Sequence, residues 1–195
     1  MKNVVSSVIA IVVLTAVFGF AYPAVMTGFG QAAFRQQANG SLIEVDGKVV
    51  GSKLAAQAFT GPRYFHERPS GTAPAYNAGA TTFANLGPTN PDLAKNVKAA
   101  AAAILKLEGP YNPSLTIGDV PVDAVTTSGS GIDPDISKAY AKLQSRRIAA
   151  VRHLPLATVD HLVAANTSGR SWGFFGEPGV NVLELNISLD KKGRS

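Results

Sequence analysis

"VVSSVIAIVVLTAVFGFAYPAV" runs from Val4 to Val25 and decides how the chain is organised. Its dozen Val, Ile, Leu and Phe residues favour membrane insertion by roughly 4 to 7 kcal/mol, before a small cost from Ser6, Ser7 and Thr15. About 22 helical residues at about 1.5 Å each cover about 33 Å, enough for a bilayer's hydrocarbon core. No charged side chain stands between Lys2 and Arg35. Tyr22 and Pro23 then occupy the places of an interfacial aromatic and a helix stop. A cleaved signal peptide is the competing reading, with Lys2 as its positive region and "GFA" (Gly19–Ala21) as its cleavage site. The apolar run exceeds the usual core of about 7–15 residues, which favours an uncleaved single-pass anchor.

Residues 1–34 therefore form an anchor and juxtamembrane segment, and residues 35–195 one soluble domain. At 195 residues with 46% hydrophobic content, the chain suffices for one ordinary core beside the anchor. The short flank before the anchor sets orientation more strongly than charges in a large domain, which places the amino terminus inside and the domain outside. Cysteine is absent, so disulfides and thiolate chemistry are excluded. The net charge of +5 is spread along the chain. Its tightest cluster, Arg146, Arg147 and Arg152, interrupts an alanine-rich amphipathic stretch. It reads as a solvated helix face or an attraction to anionic headgroups. Without aromatic interleaving it does not read as a nucleic-acid surface.

Further along, "SLIEVDGKVVGS" (Ser41–Ser52) alternates around Asp46-Gly47 and predicts a hairpin. "KLAAQAF" (Lys53–Phe59) suits a short helix. From Gly61 to Pro91 no periodicity survives, and a loop of that length tends to be functional. We expect it to contact a partner through Tyr64, Phe65, Arg68, Asn85 and Asn90. Asp92–Gly109 predicts a helix opened by Asn90-Pro91 and stopped by Gly109-Pro110. Val122–Ser128 reads as a strand, Pro134–His153 and Leu156–Thr167 as helices, and the alternating Val180–Asp190 as the closing strand. Three or four strands with three helices outside regular βαβ order give an α+β domain. In the anchor, Ser7, Ala10, Ala16 and Gly19 are small enough to permit close packing on a partner's helices.

Catalytic signatures are weak throughout. His66, His153 and His161 lack the spacing of a zinc site, and no serine sits in a nucleophile elbow. "DKKG" (Asp190–Gly193) departs from the D-K-T-G phosphorylation motif and reads as a charged tail. "VTTSGSGIDPDIS" (Val125–Ser137) invites a phosphate-binding reading of Ser128, Gly129, Ser130 and Gly131. A P-loop needs a lysine there, however, and this segment offers Asp133 and Asp135 instead. Those residues suit helix initiation, with Asp133 as N-cap, Pro134 in the first turn and Asp135 at the positive end of the dipole.

Taken together, "YPA" (Tyr22–Ala24), "YFHERPS" (Tyr64–Ser70), "NLGPTNP" (Asn85–Pro91), "VTTSGSGIDPDIS", "QSRRIAAVR" (Gln144–Arg152) and "GEPGVNVLELN" (Gly176–Asn186) carry a resemblance. The chain resembles the C subunit family of the bacterial Kdp potassium-transporting ATPase over nearly its whole length. It departs where Asp135 replaces a more usual histidine and Gly179 a common basic residue. The resemblance implies a non-catalytic, single-pass inner-membrane subunit with a periplasmic domain. Implied partners are a channel-like potassium-binding subunit, a P-type ATPase catalytic subunit and a small membrane subunit. ATP, magnesium and potassium would be used by the complex, with no cofactor held by this chain. The family's suggested roles are assembly and capping of the extracellular potassium entrance. A second suggestion is assistance to ATP binding through the Ser-Gly-Ser-Gly run and Gln144. A free-standing, membrane-anchored periplasmic hydrolase is the reading from a different class, and it predicts activity in the isolated domain.

Overall fold

The computed structural model describes residues 2–81 and 85–193, so Thr82–Ala84 of the long loop lie outside the described residues. The chain divides into two compact units, Met1–Ser52 and Lys53–Ser195.

The first unit opens with α1 (Lys2–Ala16), a π-helical turn (Val17–Ala21) and α2 (Tyr22–Ala33). Together they make one helix over Lys2–Ala33 that is long and apolar enough to cross a membrane. Pro23 does not stop this helix as expected. Proline lacks an N–H and its ring crowds the carbonyl four residues back, a conflict that a widened turn relieves. The Tyr22 N–H reaches the Val17 carbonyl five residues back, so the π turn lies directly before the proline. Phe34 breaks the helix, and a short α3 (Arg35–Ala38) follows.

The hairpin forms as expected, with β1 (Leu42–Val45) antiparallel to β2 (Lys48–Ser52). Asp46 and Gly47 both have positive φ, 51° and 74°, as a tight two-residue hairpin turn requires.

The second unit is a mixed helix and sheet domain, as the α+β reading expects. Its helices are α4 (Pro91–Glu108), α5 (Val122–Val125), α6 (Lys138–Arg152), α7 (Leu156–Ala165) and α8 (Val182–Gly193). Its small antiparallel sheet has the order β3 (Asp135–Ile136), β5 (Gly179–Asn181), β4 (Thr167–Ser168). The core gathers Phe65, Ile136, Tyr140, Ile148, Val159, Val180, Leu185 and Leu189, contributed by α6, α7, α8, the sheet and one loop residue.

Four expectations need correction. Lys53–Phe59 forms a turn and extended chain rather than a helix, and the Ala56 N–H is tied to the Ile132 carbonyl at 2.8 Å. Val122–Val125 is one helical turn, not a strand. Helix α6 starts at Lys138, capped by Ser137, whose hydroxyl accepts from the Tyr140 N–H at 3.0 Å. Asp133–Ile136 precedes that helix, with Asp135 and Ile136 in β3. Val180–Asp190 is strand only to Asn181 and then becomes α8. The α4 expectation holds: the Asn90 side chain accepts from the Asp92 N–H at 2.9 Å, and Pro91 occupies the first turn.

Candidate functional site

The loop that carries "YFHERPS" lies along the helices as a strap, held by side chains that bond its backbone. Gln144 on α6 is fully buried, and its amide pairs with His66 like a neighbouring strand. Its Oε1 accepts from the His66 N–H at 2.7 Å while its Nε2 donates to the His66 carbonyl at 3.0 Å. Asn186 on α8 does the same for Phe65, at 2.9 and 3.0 Å. Two buried amides thus replace the ladder a strand would supply, which satisfies backbone groups that burial would otherwise orphan.

Arg147, one helical turn beyond Gln144, is fully buried too. Its Nε donates to Glu108 Oε1 at 2.8 Å, its Nη1 to the Pro62 and Tyr64 carbonyls, and its Nη2 to Gln144 Oε1 at 2.9 Å. Burial raises the Glu108 carboxyl's pKa and Arg147 opposes that shift. Arg152 continues the row, donating to the Arg63 carbonyl and to Asp190 Oδ1 at 2.8 Å, with its guanidinium 4.9 Å from the centre of the Tyr64 ring. The expected solvated cluster is therefore split: Arg146 faces solvent, whereas Arg147 and Arg152 are structural ties.

Residues 66–76 close the other end. Arg68 pairs with Asp133 at 3.0 Å and donates to the Thr127 carbonyl at 3.3 Å. Ser70 donates to the Gly131 carbonyl at 2.7 Å. His66 is lowered by burial, and its Nε2 lies 3.0 Å from the Gly61 carbonyl, so the neutral ring donates there. Glu67 is buried and neither carboxyl oxygen closes a regular hydrogen bond. Burial pushes its pKa up to about 9, with the nearby backbone N–H of Gln57 opposing the rise and Asp133 and Asp135 adding to it.

The residues named from the sequence are distributed as follows. Phe65 is in the core, Tyr64 and Arg68 are partly covered, Asn85 is exposed and Asn90 caps α4. Ser128 and Ser130 spend their hydroxyls on their own turn: Ser128 Oγ accepts from the Gly131 N–H at 2.9 Å and Ser130 Oγ from the Ile132 N–H at 3.2 Å. A shallow groove beside that turn is lined by Asn85, Asn96, Thr127, Ser128 and Gly129 among others, and no Lys or Arg belongs to its lining. Gln144 is not among those lining residues. Among the described residues no group of three or more His, Asp or Glu side chains is placed to hold a metal ion.

In the anchor, Ser7 and Ala10 lie about 60° apart, but Ala16 is about 180° from Ser7 at 100° per residue. Ser7 and Ala10 therefore share one side of α1 and Ala16 lies on the opposite one, while Gly19 sits in the π-helical turn. The departures at 135 and 179 prove to be neighbours, since a side chain added at Gly179 would meet the Asp135 carboxylate at 3.2 Å.

Sequence reasoning missed Arg147, Glu108, Asn186 and Glu67. A signal was present on α6, where Tyr140, Gln144 and Arg147 follow i, i+4, i+7 spacing and share the buried face. The sequence reading places Arg147 on a solvated face, because Arg is mostly exposed in proteins, and gives Gln144 only the nucleotide role that the resemblance implies.

Residues 4–191 match the family model described as "K+-transporting ATPase, c chain". The chain is 55% identical to the potassium-transporting ATPase KdpC subunit of Burkholderia orbicola over 184 residues, 94% of this chain and 93% of that one. The subunit of the same name from Paraburkholderia phytofirmans is 53% identical over 193 residues, 98% of each chain. That from Methylococcus capsulatus is 51% identical over 185 residues, 94% of this chain and 95% of the other.

Proposed function

The chain belongs to the KdpC family of potassium-transporting ATPase subunits, and from that premise we propose that it is a non-catalytic assembly subunit. In this reading it stabilises the complex of a channel-like potassium-binding subunit, a P-type ATPase subunit and a small membrane subunit. It also covers the extracellular potassium entrance. Its amino terminus is cytoplasmic and its domain periplasmic. ATP, magnesium and potassium are handled by the partners, and this chain holds no cofactor of its own. The loop Gly61–Pro91 contributes partner contacts through Tyr64, Arg68, Asn85, Asn90 and the backbone beside Phe65.

The observation that carries this reading is the commitment of Gln144. Assistance to ATP binding needs an amide free to reach a nucleotide, but the Gln144 amide is buried and bonded at both ends to the strap and Arg147. Ser128 and Ser130 are likewise engaged by their own turn, and Arg68, whose guanidinium reaches the Thr126 and Thr127 lining of the groove beside them, is already paired with Asp133. Such spending of polar groups favours a rigid docking body over a nucleotide clamp.

A reporter fused after Ser195 in the assembled, membrane-embedded complex tests it. A reporter active only in the periplasm is the expected result. A cytoplasmic signal would overturn entrance capping and restore the nucleotide reading. Potassium-stimulated ATP hydrolysis by the complex should fall when the chain is withheld, while the chain alone should hydrolyse no ATP.

A further inference from the structure

Glu67 divides the strap into two halves that are held by different means. Up to His66 the backbone is gripped by helix side chains, with Asn186 on Phe65, Gln144 on His66 and Arg147 on the Tyr64 carbonyl. Beyond Glu67 the ties are fewer and reach the turn before α6. Arg68 pairs with Asp133 at 3.0 Å, and Ser70 donates to the Gly131 carbonyl at 2.7 Å. The Thr72, Tyr76 and Asn77 N–H groups bond hydroxyls of the strap itself, those of Ser70 and Thr72. Glu67 has 4% of its surface exposed, and both carboxyl oxygens lack a hydrogen-bond partner. The groups that face it give an ionised carboxylate little support. Asp133 and Asp135 are themselves acids, and Gln57 offers one backbone N–H. Tyr76 is pushed up to about 12 and His66 is lowered, so both are neutral in mildly alkaline solution. The cations around these acids are committed, Arg68 to Asp133 and Lys53 to Glu184 at 3.1 Å.

We propose that Glu67 is a proton-operated latch: while protonated it lets residues 67–77 lie closed on the turn before α6, and on losing its proton it releases that half of the strap. Gln144 and Asn186 keep the other half in place. A buried carboxylate without a partner is strongly disfavoured, so an ionised Glu67 gains by carrying its segment into water. The ties that oppose this movement are the Arg68–Asp133 pair and a few hydroxyl bonds, whereas the inner half has buried amides against it. In the open strap the carboxyl titrates near its ordinary 4.5, and in the closed strap at about 9. Between those values opening releases one proton, so the open population grows with pH by at most about tenfold per unit. Below 4.5 both forms keep the proton and opening no longer depends on pH.

Hydrogen–deuterium exchange of the full-length chain in detergent tests the latch. Each rate is divided by that of the urea-unfolded chain at the same pH, which removes hydroxide catalysis and leaves the protection of each peptide. From pH 6 to pH 8 the protection of residues 67–77 is expected to fall by about tenfold or more in wild type, and by less than about threefold in Glu67→Gln. Residues 144–150 of α6 should stay more protected than the strap at both pH values. Protection of 67–77 that is level with pH in wild type overturns the latch, whether or not the variant folds. Exchange of 67–77 no faster than that of 144–150 overturns it too, because the strap would then open only with the whole domain. The consequence for docking rests on the reading of Gly61–Pro91 as a partner surface. Recovery of the assembled complex should drop between pH 6.5 and pH 8.5 more steeply with wild type than with Glu67→Gln. Equal recovery profiles alongside a strap that opens with pH would overturn that reading of the loop and leave the latch standing.

Discussion

Arg147 and Glu67 illustrate opposite outcomes for a buried charge. Arg147 meets a carboxylate, two carbonyls and an amide oxygen, so its desolvation is offset by a full set of bonds. Truncating it to Ala should lower stability by about 3–5 kcal/mol, because Glu108 stays behind as an uncompensated buried acid. Arg147→Lys should recover only part of that, since an ammonium cannot span the same fork. A double substitution to Met at 147 and Leu at 108 removes the charge problem. It still orphans the Pro62 and Tyr64 carbonyls, so urea denaturation should show a residual loss of about 1–3 kcal/mol. A fully restored double variant would show that the strap carbonyls do not depend on Arg147.

Glu67 has no such set of bonds, and its stability effect has a definite sign with pH. Its carboxyl titrates near 4.5 in the unfolded chain and at about 9 when folded. Between those values the unfolded chain has released a proton that the folded chain keeps, so stability falls as pH rises, by at most about 1.4 kcal/mol per unit. Below 4.5 both states hold the proton and the penalty vanishes. Glu67→Gln should therefore stabilise the domain at pH 8 more than at pH 5, read as the difference from wild type in urea midpoints. Burial raises Glu108 and Asp135 as well, and both remain in the variant. Equal shifts at the two pH values would show that Glu67 is ionised in the folded state.

At the scale of elements, the residues that misled prediction are those that satisfy two periods at once. Leu183, Leu185, Ile187 and Leu189 alternate with polar residues, but Val182, Leu185, Asn186 and Leu189 also follow i, i+3, i+4, i+7, and burial selects the second pattern. The Val- and Thr-rich stretch Val122–Thr127 reads extended, yet the Ala124 N–H closes on the Pro121 carbonyl and the Thr126 hydroxyl on the Val122 carbonyl, which makes a single helical turn. Legible elements were those with local chemistry: Asp46-Gly47 for the hairpin, Asn90-Pro91 for α4, the charge-free run for the anchor. The strap was legible only as an absence of pattern. Its order comes from Gln144 and Asn186, 78 and 121 residues away from the strap amides they bond, a range no local pattern covers.

The α6 start shows how a distant residue moves a boundary. Asp133 was the sequence candidate for the cap, and its Oδ1 does accept from the Asp135 N–H at 3.1 Å, but Asp135 and Ile136 pair with β5, so the helix begins only after Ser137. Asp123 in turn accepts from the Ser137 N–H at 2.7 Å and from its hydroxyl at 2.9 Å. Ser137→Ala should cost about 1–2 kcal/mol and lower the melting temperature by roughly 2–8 °C. Asp133→Ala, which leaves that cap intact, should keep the α6 amides protected in hydrogen exchange. Loss of protection at Tyr140 in the Asp133 variant would return the capping role to Asp133.

For the whole molecule, the question is where the stability resides. Among the described residues, every buried apolar side chain lies between Ala56 and Leu189, within the second unit. The polar ties of the strap lie there too, from the Pro62 carbonyl to Asp190. The first unit has an apolar helix whose side chains are exposed along its length and a two-stranded hairpin, and an isolated hairpin is marginal in water. Residues 53–195 expressed alone should therefore fold without residues 1–52. They should melt in one cooperative transition within a few degrees of the full chain in detergent, and give equal urea midpoints. Removing residues 1–52 should at the same time deprive the domain of its membrane tether, which supplies effective concentration at no cost in new contacts. Recovery of the truncated chain with the other ATPase subunits should then fall steeply with dilution, unlike that of the full chain. A truncated domain that unfolds, or melts in two steps, would place part of the core's support in residues 1–52.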